Sequence, residues 1–263
     1  MTGFKTAAWI ASAALLASAP AHAVITTFAT FSALTTDNFY FKNALSNNKS
    51  SSASLYSIAT PTSTVPGSVL VKFSFINEPV ALDTAVNGVK AKFTYNGAVT
   101  NTGAVSLGGF LIQPGVSGSF SFLTTTPITV GTHVYATGSN LLSATFFSGG
   151  SIAGPNNTTS GTFDANNQAA GSTLAYTSDF VTFSPGASLD ASYSLTAIQA
   201  ALNRVTSTSA LRTFKADAGG SFSADPVPLA NGVPEPASWA LMIVGMGMMG
   251  AMTRRRRGAA VQA

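Results

Sequence analysis

Cysteine is absent from this chain of 263 residues, and charged residues make up only 8% of it. Without cysteine there is no disulfide, no thiolate nucleophile and no cysteine-ligated metal. A chain of this length does not need disulfides, because it buries enough apolar surface for an ordinary core. Charged residues usually form about a quarter of a globular protein. Serine, threonine, asparagine, glycine and alanine replace them here, so we expect an uncharged surface rich in hydroxyl and amide groups.

The formal net charge of +4 comes from the two ends of the chain rather than from its middle. Lys5 and the arginines at 254–257 supply the excess, whereas eight basic residues between Val24 and Val233 balance eight acidic ones. Nucleic-acid binding needs a stripe of basic residues along one surface. The neutral middle region offers no such stripe, so nucleic acid is excluded as a partner.

Histidine is also scarce, and after the first 23 residues only His133 remains. A catalytic triad or a histidine metal site needs several groups at fixed distances, so His133 is expected to be a packed or solvent-facing strand residue. Among the scattered carboxylates Asp179 stands out, because it lies in an aromatic-rich strand, although a surface or loop position is the simpler interpretation. Motifs for calcium, phosphate or a nucleophilic serine are missing. The sequence therefore predicts no enzyme, no metal and no cofactor.

The first 23 residues have the organisation of a secretory signal peptide. Lys5 supplies the positive start, residues 7–19 form an apolar run, and Pro20 ends it. Ala21 and Ala23 are the small residues that signal peptidase requires at positions −3 and −1, so we expect cleavage after Ala23. An uncleaved membrane anchor is the alternative, and the shortness of the apolar run argues against it.

Residues 24–224 are predicted to form an all-β ectodomain, an antiparallel β-sandwich or jelly roll. Val69–Ile76 and Val89–Tyr95 alternate apolar and polar residues, which is typical of strands. Further runs with strand-like composition are 105–112, 118–124, 128–135, 141–147, 174–183 and 192–198. Turn residues lie at 77–79, 96–97, 113–115, 149–150 and 184–186. Many short strands at this spacing favour a sandwich over alternating strands and helices.

Two polar regions, Ser46–Ser68 and Gly149–Gly171, are predicted to be long surface loops. Their dense hydroxyl groups make them candidates for O-glycosylation or for association with exopolysaccharide. Residues 198–205 are predicted to form a helical turn or two, and residues 211–222 a last pair of strands.

The aromatic residues of the domain are mostly phenylalanines, among them Phe146 and Phe147, and most of these phenylalanines recur at every second position. Tryptophan is absent between residues 24 and 233. Such phenylalanines are expected to fill the core of a sandwich. The other interpretation is a flat aromatic platform for sugars, for which exposed tyrosines would be evidence. The tyrosines concerned are Tyr40, Tyr56, Tyr95, Tyr135, Tyr176 and Tyr193.

The C-terminal part of the chain has segments of different character. Residues 225–233 are predicted to be a proline-rich, extended linker. Pro234, Glu235 and Pro236 follow, and the two prolines favour an extended backbone that presents the glutamate above a membrane.

A membrane helix is predicted for residues 237–253, which carry no charge. Its length of about 25 Å falls slightly short of the hydrocarbon core. Four arginines follow it and are expected to hold that end, with residues 258–263, in the cytoplasm. They are Arg254, Arg255, Arg256 and Arg257.

Pro-Glu-Pro at 234–236, Trp239 three residues later, the apolar helix and the arginine cluster together resemble the PEP-CTERM sorting signal. Leu241 stands where the variant with Trp-Ala-Met-Met-Ile has its first methionine, a conservative change. Such tails also occur in families labelled ice-binding protein C-terminal domain, a label that implies no activity. The resemblance covers residues 233–257, about a tenth of the chain. A plain single-pass anchor is the alternative, but it does not account for Pro-Glu-Pro beside Trp239.

What the resemblance implies is processing by exosortase, a cysteine transpeptidase-like membrane enzyme of Gram-negative bacteria that make exopolysaccharide. We therefore expect an inner-membrane precursor with a periplasmic ectodomain, which is delivered to the cell surface or extracellular matrix and associates with exopolysaccharide. The expected protein is not an enzyme. The competing hypothesis is a carbohydrate-binding or glycoside-hydrolysing module carried by the same signal.

Overall fold

The computed structural model describes residues 26–224 and 226–228, and within them the fold is all-β. Strands account for 57% of these residues and helix for 3%. The predicted signal peptide at residues 1–23 and the predicted membrane helix at 237–253 lie outside the described residues. Among those that are described, no helix is both long and apolar enough to cross a membrane.

Sixteen strands and one short helix follow one another along the described chain. The first eight strands are β1 Thr26–Ala33, β2 Phe39–Asn43, β3 Ala53–Ser57, β4 Val69–Phe75, β5 Val89–Val99, β6 Val105–Leu107, β7 Phe110–Thr124 and β8 Ile128–Val130. The others are β9 His133–Tyr135, β10 Asn140–Pro155, β11 Gly161–Asn166, β12 Thr173–Thr177, β13 Val181–Phe183, β14 Asp190–Gln199, β15 Phe214–Ala224 and β16 Pro226–Pro228. Helix α1, Val80–Ala85, lies between β4 and β5.

The main sheet is antiparallel and closes on itself. Eight strands pair in the order β1, β4, β5, β7, β10, β11, β14 and β15, and β15 pairs again with β1. Strands β2 and β3 pair with each other and continue the sheet beyond the ends of β1 and β4. β2 pairs with the first part of β15, whose second part pairs with β1, and β3 pairs with the second part of β5, whose first part pairs with β4. Closure gives these strands partners on both sides, which removes open edges that would attract other chains.

Alternation along the strands separates the core from the surface. In β5 the buried positions Ala91, Phe93 and Tyr95 alternate with the exposed positions Lys90, Lys92 and Thr94. β4 alternates in the same way, so the strands predicted at Val69–Ile76 and Val89–Tyr95 are confirmed.

Aromatic side chains fill the interior of the closed sheet. The ring of Phe31 on β1 lies 5.2 Å from that of Phe93 on β5 and 5.1 Å from that of Tyr193 on β14. Phe222 of β15 lies 5.5 Å from Phe122 of β7, so rings from opposite walls of the sheet meet in the middle. These residues are fully or almost fully buried, and burying such rings contributes most of the apolar stabilisation.

The two predicted surface loops are wrong as continuous loops. Strand β3 lies within Ser46–Ser68, and the second half of β10 together with β11 lies within Gly149–Gly171. β3 pairs with β2 and β5, and β11 pairs with β10 and β14. Ladder hydrogen bonds on both sides outweigh the weak strand propensity of serine, glycine and asparagine.

Predicted turns at 96–97, 113–115 and 149–150 also lie inside strands, namely β5, β7 and β10. The register between β7 and β10 shifts near Gly150, and such bulges let long strands bend instead of ending. The helical turn predicted at 198–205 is absent, because β14 continues to Gln199 and Ala200 then adopts a positive φ of 65°.

Turns divide three of the runs predicted as single strands. Residues 105–112 contain the turn between β6 and β7, residues 128–135 form the β8–β9 hairpin, and residues 174–183 contain β12 and β13. The predicted last pair of strands at 211–222 is one strand, β15, preceded by an isolated bridge between Arg204 and Leu211.

Both ends of the described domain lie at the same end of the sheet. Thr26, the first residue of β1, is the Cα partner of Ala224, the last residue of β15. Strand β16 then pairs antiparallel with β13, so part of the predicted linker 225–233 lies against the domain. The last described residue, Pro228, therefore lies beside β13.

Candidate functional site

The residues predicted for sorting and processing lie outside the described residues. They are Ala21, Ala23, Pro234, Glu235, Pro236, Trp239, Arg254, Arg255, Arg256 and Arg257. What the structure does place are the carboxylates, the histidine and the aromatic residues of the predicted ectodomain.

Asp179 fastens the start of β10. The backbone N–H of Asn140 donates a hydrogen bond to Asp179 Oδ2 at 2.7 Å, and the backbone N–H of Asp179 donates to the Asn140 carbonyl at 2.8 Å. Asp179 therefore lies in the loop between β12 and β13, not in a strand, and this reciprocal pair holds the loop against the start of β10.

His133 lies exposed on β9 in a small aromatic cluster. Its ring centroid is 4.5 Å from that of Tyr135, and Tyr135 stacks on the buried Phe180 at 3.9 Å. Partial burial raises the pKa of the Tyr135 hydroxyl, and the negative charge of Asp179 raises it further. Within the described ranges, no three side chains of histidine, aspartate or glutamate group together as a metal site requires.

One pair of carboxylates lies on the outer face of β11 and β14. Asp164 Oδ1 accepts a hydrogen bond from Ser192 Oγ at 2.6 Å, and Asp190 occupies the next outward position along β14. Burial raises the pKa of the Asp190 carboxyl, and the negative charge of Asp164 adds to this effect. Sequence reasoning did not single out this pair, because the two residues meet only through the β11–β14 register.

A second pair joins the β1–β2 loop to β15. Asp217 Oδ1 accepts a hydrogen bond from the backbone N–H of Asp37 at 2.5 Å. Gln199 Nε2 donates to both carboxylate oxygens of Asp37, at 3.0 and 2.8 Å. Both carboxylates are thus occupied in holding a loop whose Asp37 has a positive φ of 52°.

Five of the six tyrosines considered for a sugar platform are buried. Tyr40, Tyr56, Tyr95, Tyr176 and Tyr193 expose between 0% and 8% of their surface, and Tyr135 is half-buried. Tyr40 and Tyr56 form a cluster beneath the loop before β4, where the Tyr56 hydroxyl donates to the Thr64 carbonyl at 2.6 Å. These rings therefore offer no open stacking face to a ligand.

A shallow groove lies on the outer face of β5, β7, β10 and β12. Cross-strand pairing aligns Asn96, Ser119, Thr145 and Ala175 in one row, and Thr94, Ser121, Ser143 and Thr177 in the next. These eight residues, together with Phe120 and Ala144, line a depression of about 310 Å³. A second depression of about 450 Å³ also includes Asn96 and continues toward Lys42 and Pro66.

An exposed aromatic ring stands at one side of this groove. Phe147 is two residues beyond Thr145 on β10 and therefore points to the same face. It is 65% exposed, whereas the adjacent Phe146 points inward and is only 4% exposed. The groove thus combines an open ring with uncharged hydrogen-bonding groups.

Comparison with known proteins identifies the C-terminal segment. A family model described as the PEP-CTERM protein-sorting motif matches residues 232–257. The chain carries a PEP-CTERM sorting motif. The motif spans Pro234, Glu235 and Pro236, Trp239 and the four arginines, as the resemblance indicated. Neither the curated proteins nor the solved structures include a match to the chain.

The PEP-CTERM motif marks an exported protein that is targeted to exosortase. Such a protein is anchored in the membrane and then processed. The motif lies outside the closed sheet, so it indicates how the protein is exported and sorted but not what the closed sheet does.

Sequence reasoning missed the groove residues Asn96, Ser119 and Thr145, and grouped Phe147 with the core phenylalanines. Asn96 was predicted to be a turn residue. The serines and threonines of the groove have the same kind of sequence neighbours as serines and threonines elsewhere in the chain. The one available signal was the Phe146–Phe147 pair, because two consecutive strand residues point to opposite faces.

Proposed function

We propose that this is a non-enzymatic protein of the cell surface or extracellular matrix, sorted through its PEP-CTERM motif, cut by exosortase and associated with exopolysaccharide. The observation that carries the proposal is the match of residues 232–257 to the sorting motif. The groove on β5, β7, β10 and β12, which is rich in hydroxyl groups, supports the association with polysaccharide, because none of the residues that line it carries a charge.

The proposed route begins with removal of residues 1–23 by signal peptidase after Ala23. Residues 24–224 then fold in the periplasm, while the helix 237–253 holds the precursor in the inner membrane. Arg254–Arg257 keep residues 258–263 on the cytoplasmic side. This topology places Pro234, Glu235 and Pro236 at the outer surface of the membrane, where exosortase meets them.

The ectodomain is proposed to be a flattened, sandwich-like form of the closed sheet. Ring contacts between strands on opposite sides support this, such as Phe222 of β15 with Phe120 of β7 at 5.2 Å. Two facing walls with interdigitating aromatic side chains are the arrangement found in β-sandwiches.

Several local contacts support a role without catalysis. Asp37 and Asp217 are bound to an amide and a backbone N–H, and Asp179 is bound to the backbone of β10. A general acid or base needs a carboxyl group that can reach substrate. Asp190, beside Asp164, is the carboxyl group whose pKa is raised, so the double variant D164N/D190N tests the hydrolytic alternative.

A fractionation experiment tests the sorting proposal. The full-length protein with an epitope tag in the ectodomain is produced in a host with and without exosortase, and precursor and released protein are separated by blotting. Replacing Pro234 and Pro236 by alanine lets the helix extend toward the domain, and Glu235→Gln removes the charge without changing shape. Both variants are expected to insert normally and to accumulate uncut in the membrane.

The matched control is replacement of two prolines away from the motif, Pro61 and Pro66, by alanine. This variant should be processed like the wild type. Equal release of the wild type and the Pro-Glu-Pro variants, or release without exosortase, would contradict the proposal.

A further inference from the structure

The groove on β5, β7, β10 and β12 has lining groups that no internal contact uses. Within the part of the chain that the structure describes, the side chains of Thr94, Asn96, Ser119, Ser121 and Thr145 take part in no hydrogen bond. Ser143 and Thr177, at one end, are instead bound to Asn140. The free groups therefore lie together at the centre of the groove.

Strand geometry spaces these free groups regularly. Neighbouring strands lie about 4.8 Å apart and outward positions along a strand about 7 Å apart. Asn96, Ser119 and Thr145 thus present an amide and two hydroxyls in a row of about 10 Å across three strands. A ligand that meets this row needs donors and acceptors repeated at similar spacing.

The groove is uncharged throughout. None of the ten residues that line the depression carries a charge, although Lys92 occupies the outward position beside Thr94 on β5. An ionic ligand would lose its hydration here without gaining an opposite charge. The lining therefore fits a neutral ligand better than an acidic one.

Phe147 adds the apolar part of the surface. It is the most exposed phenylalanine or tyrosine of the described chain, at 65%, and it lies next to a groove lined mostly by small polar residues. Leaving such a ring in water forgoes the stabilisation of burial, so it is available to a flat apolar partner. Pyranose rings have an apolar C–H face and hydroxyl groups around the rim, which is the combination that this surface matches.

We infer that the groove lined by Thr94, Asn96, Ser119, Ser121 and Thr145, with Phe147 as its stacking ring, binds a neutral polysaccharide. The inference deepens the proposed function and rests on it, since it assigns the association with exopolysaccharide to one surface. The chain of sugars crosses the strands, places one ring on Phe147 and exchanges hydrogen bonds with Asn96, Ser119 and Thr145.

Affinity electrophoresis of the full-length protein tests the inference. The protein is kept in a polyoxyethylene detergent, which has no sugar headgroup, and run through gels that contain dextran, hydroxyethylcellulose or polygalacturonate. We expect retardation in at least one neutral gel, a loss of affinity of about tenfold for Phe147→Ala, and a smaller loss for Asn96→Ala. The matched control is Phe110→Ala, because Phe110 is 51% exposed on the β6–β7 hairpin outside the groove.

Three outcomes would overturn the inference. In the first, the wild type migrates in both neutral gels as fast as in a gel without polysaccharide. In the second, Phe147→Ala and Phe110→Ala are retarded equally. In the third, only polygalacturonate retards the protein, and Lys92→Gln abolishes that retardation. The same variants are also followed through fractionation. Normal release of Phe147→Ala by exosortase together with unchanged sugar binding would reject the groove and leave the sorting proposal standing. If the wild type is not released, the sorting proposal is rejected, and the electrophoresis alone decides whether the groove binds polysaccharide.

Discussion

Two tyrosine hydroxyls lie in the aromatic interior without a partner. Among the described residues, the hydroxyls of Tyr95 and Tyr193 are the buried side-chain polar atoms that make no hydrogen bond. Burial raises the pKa of both hydroxyls well above the ordinary value, because the apolar interior disfavours the charged phenolate. Both groups lose hydration on folding and gain nothing in return.

Removing either hydroxyl is therefore expected to stabilise the fold. Tyr95→Phe and Tyr193→Phe should each raise the free energy of unfolding by up to about 1 kcal/mol. Tyr176→Phe is the matched control, because the Tyr176 hydroxyl donates to the Asp190 carbonyl at 2.5 Å. That variant should lose about 1 kcal/mol. Urea denaturation followed by circular dichroism measures all three, and a loss of stability for both core variants would show that the hydroxyls have partners.

Asp190 makes the stability of the protein depend on pH. Burial, aided by the charge of Asp164, raises the pKa of its carboxyl above the ordinary 3.8, so the folded state binds this proton more tightly than the unfolded chain. Stability should consequently fall as pH rises from 3.8 to the raised pKa, and then remain level. Asp190→Asn removes the ionisation, so this variant should be more stable than the wild type at pH 7 but not at pH 3.5. Urea denaturation followed by circular dichroism at the two pH values measures the difference.

The Asp190 prediction has an internal check. Asp164→Asn removes only the neighbouring charge, so its gain in stability at neutral pH should have the same sign and be smaller. A variant Asp190→Asn that is less stable than the wild type at pH 7 would mean that the carboxylate is stabilised by its surroundings.

At the scale of strands, β4 and β5 place like charges directly opposite each other. Lys72 is the cross-strand partner of Lys90, both are exposed, and Lys92 follows on the same face. Directly opposed like charges destabilise a strand pair, whereas opposite charges stabilise it. Lys90→Glu should therefore raise the free energy of unfolding by about 0.5 kcal/mol at low salt, and less at 1 M salt as screening increases.

Lys42→Glu is the control for this exchange. Lys42 is also exposed in a strand, but its cross-strand partner is Ser54. It should show the same change in strand propensity without the gain in charge pairing. Equal effects of the two substitutions, or a gain for Lys90→Glu that does not depend on salt, would contradict the electrostatic explanation.

Elements were predictable from sequence where the alternation was strong and the strand short. β4 and β5 followed from Val69–Ile76 and Val89–Tyr95, because buried and exposed positions there differ clearly in polarity. The first half of β10 was also predicted, at residues 141–147. Its second half and β11 were not, since Gly149 and Gly150 are locally turn residues and become strand residues only between β7 and β11. Pairing with strands distant in sequence determines whether such segments form strands, and this pairing cannot be predicted from the local sequence pattern.

The groove shows the same limit. Asn96, Ser119 and Thr145 belong to three strands, and they form a row only because the β5–β7 and β7–β10 registers align them. Which of Phe146 and Phe147 points outward depends on that register as well. In contrast, the sorting motif at residues 232–257 is contiguous, so its residues were recognisable from the sequence alone.

At the scale of the whole molecule, the arrangement of the ends fixes how close the domain stays to the membrane in the proposed precursor. Thr26 and Ala224 are paired, and β16 ends at Pro228 against β13. In the proposed precursor we therefore expect the end of the sheet that carries β13 and β16 to face the bilayer. The groove lies on the side of the sheet, so it remains open to solvent in the anchored precursor as well as after release.

The length of chain between β16 and Pro-Glu-Pro should limit processing. Six residues lead from Pro228 to Pro234, which gives exosortase at most about 20 Å between the folded domain and the motif. Deleting Leu229, Ala230 and Asn231 leaves residues 232–257 intact but shortens this reach to about 10 Å, so the domain should obstruct the enzyme. We expect uncut precursor to accumulate severalfold on a fractionation blot, and ten glycine and serine residues inserted at the deletion to restore release. Unchanged processing of the deletion variant would mean that β16 detaches from β13 before cleavage, because only a longer free segment then reaches the enzyme.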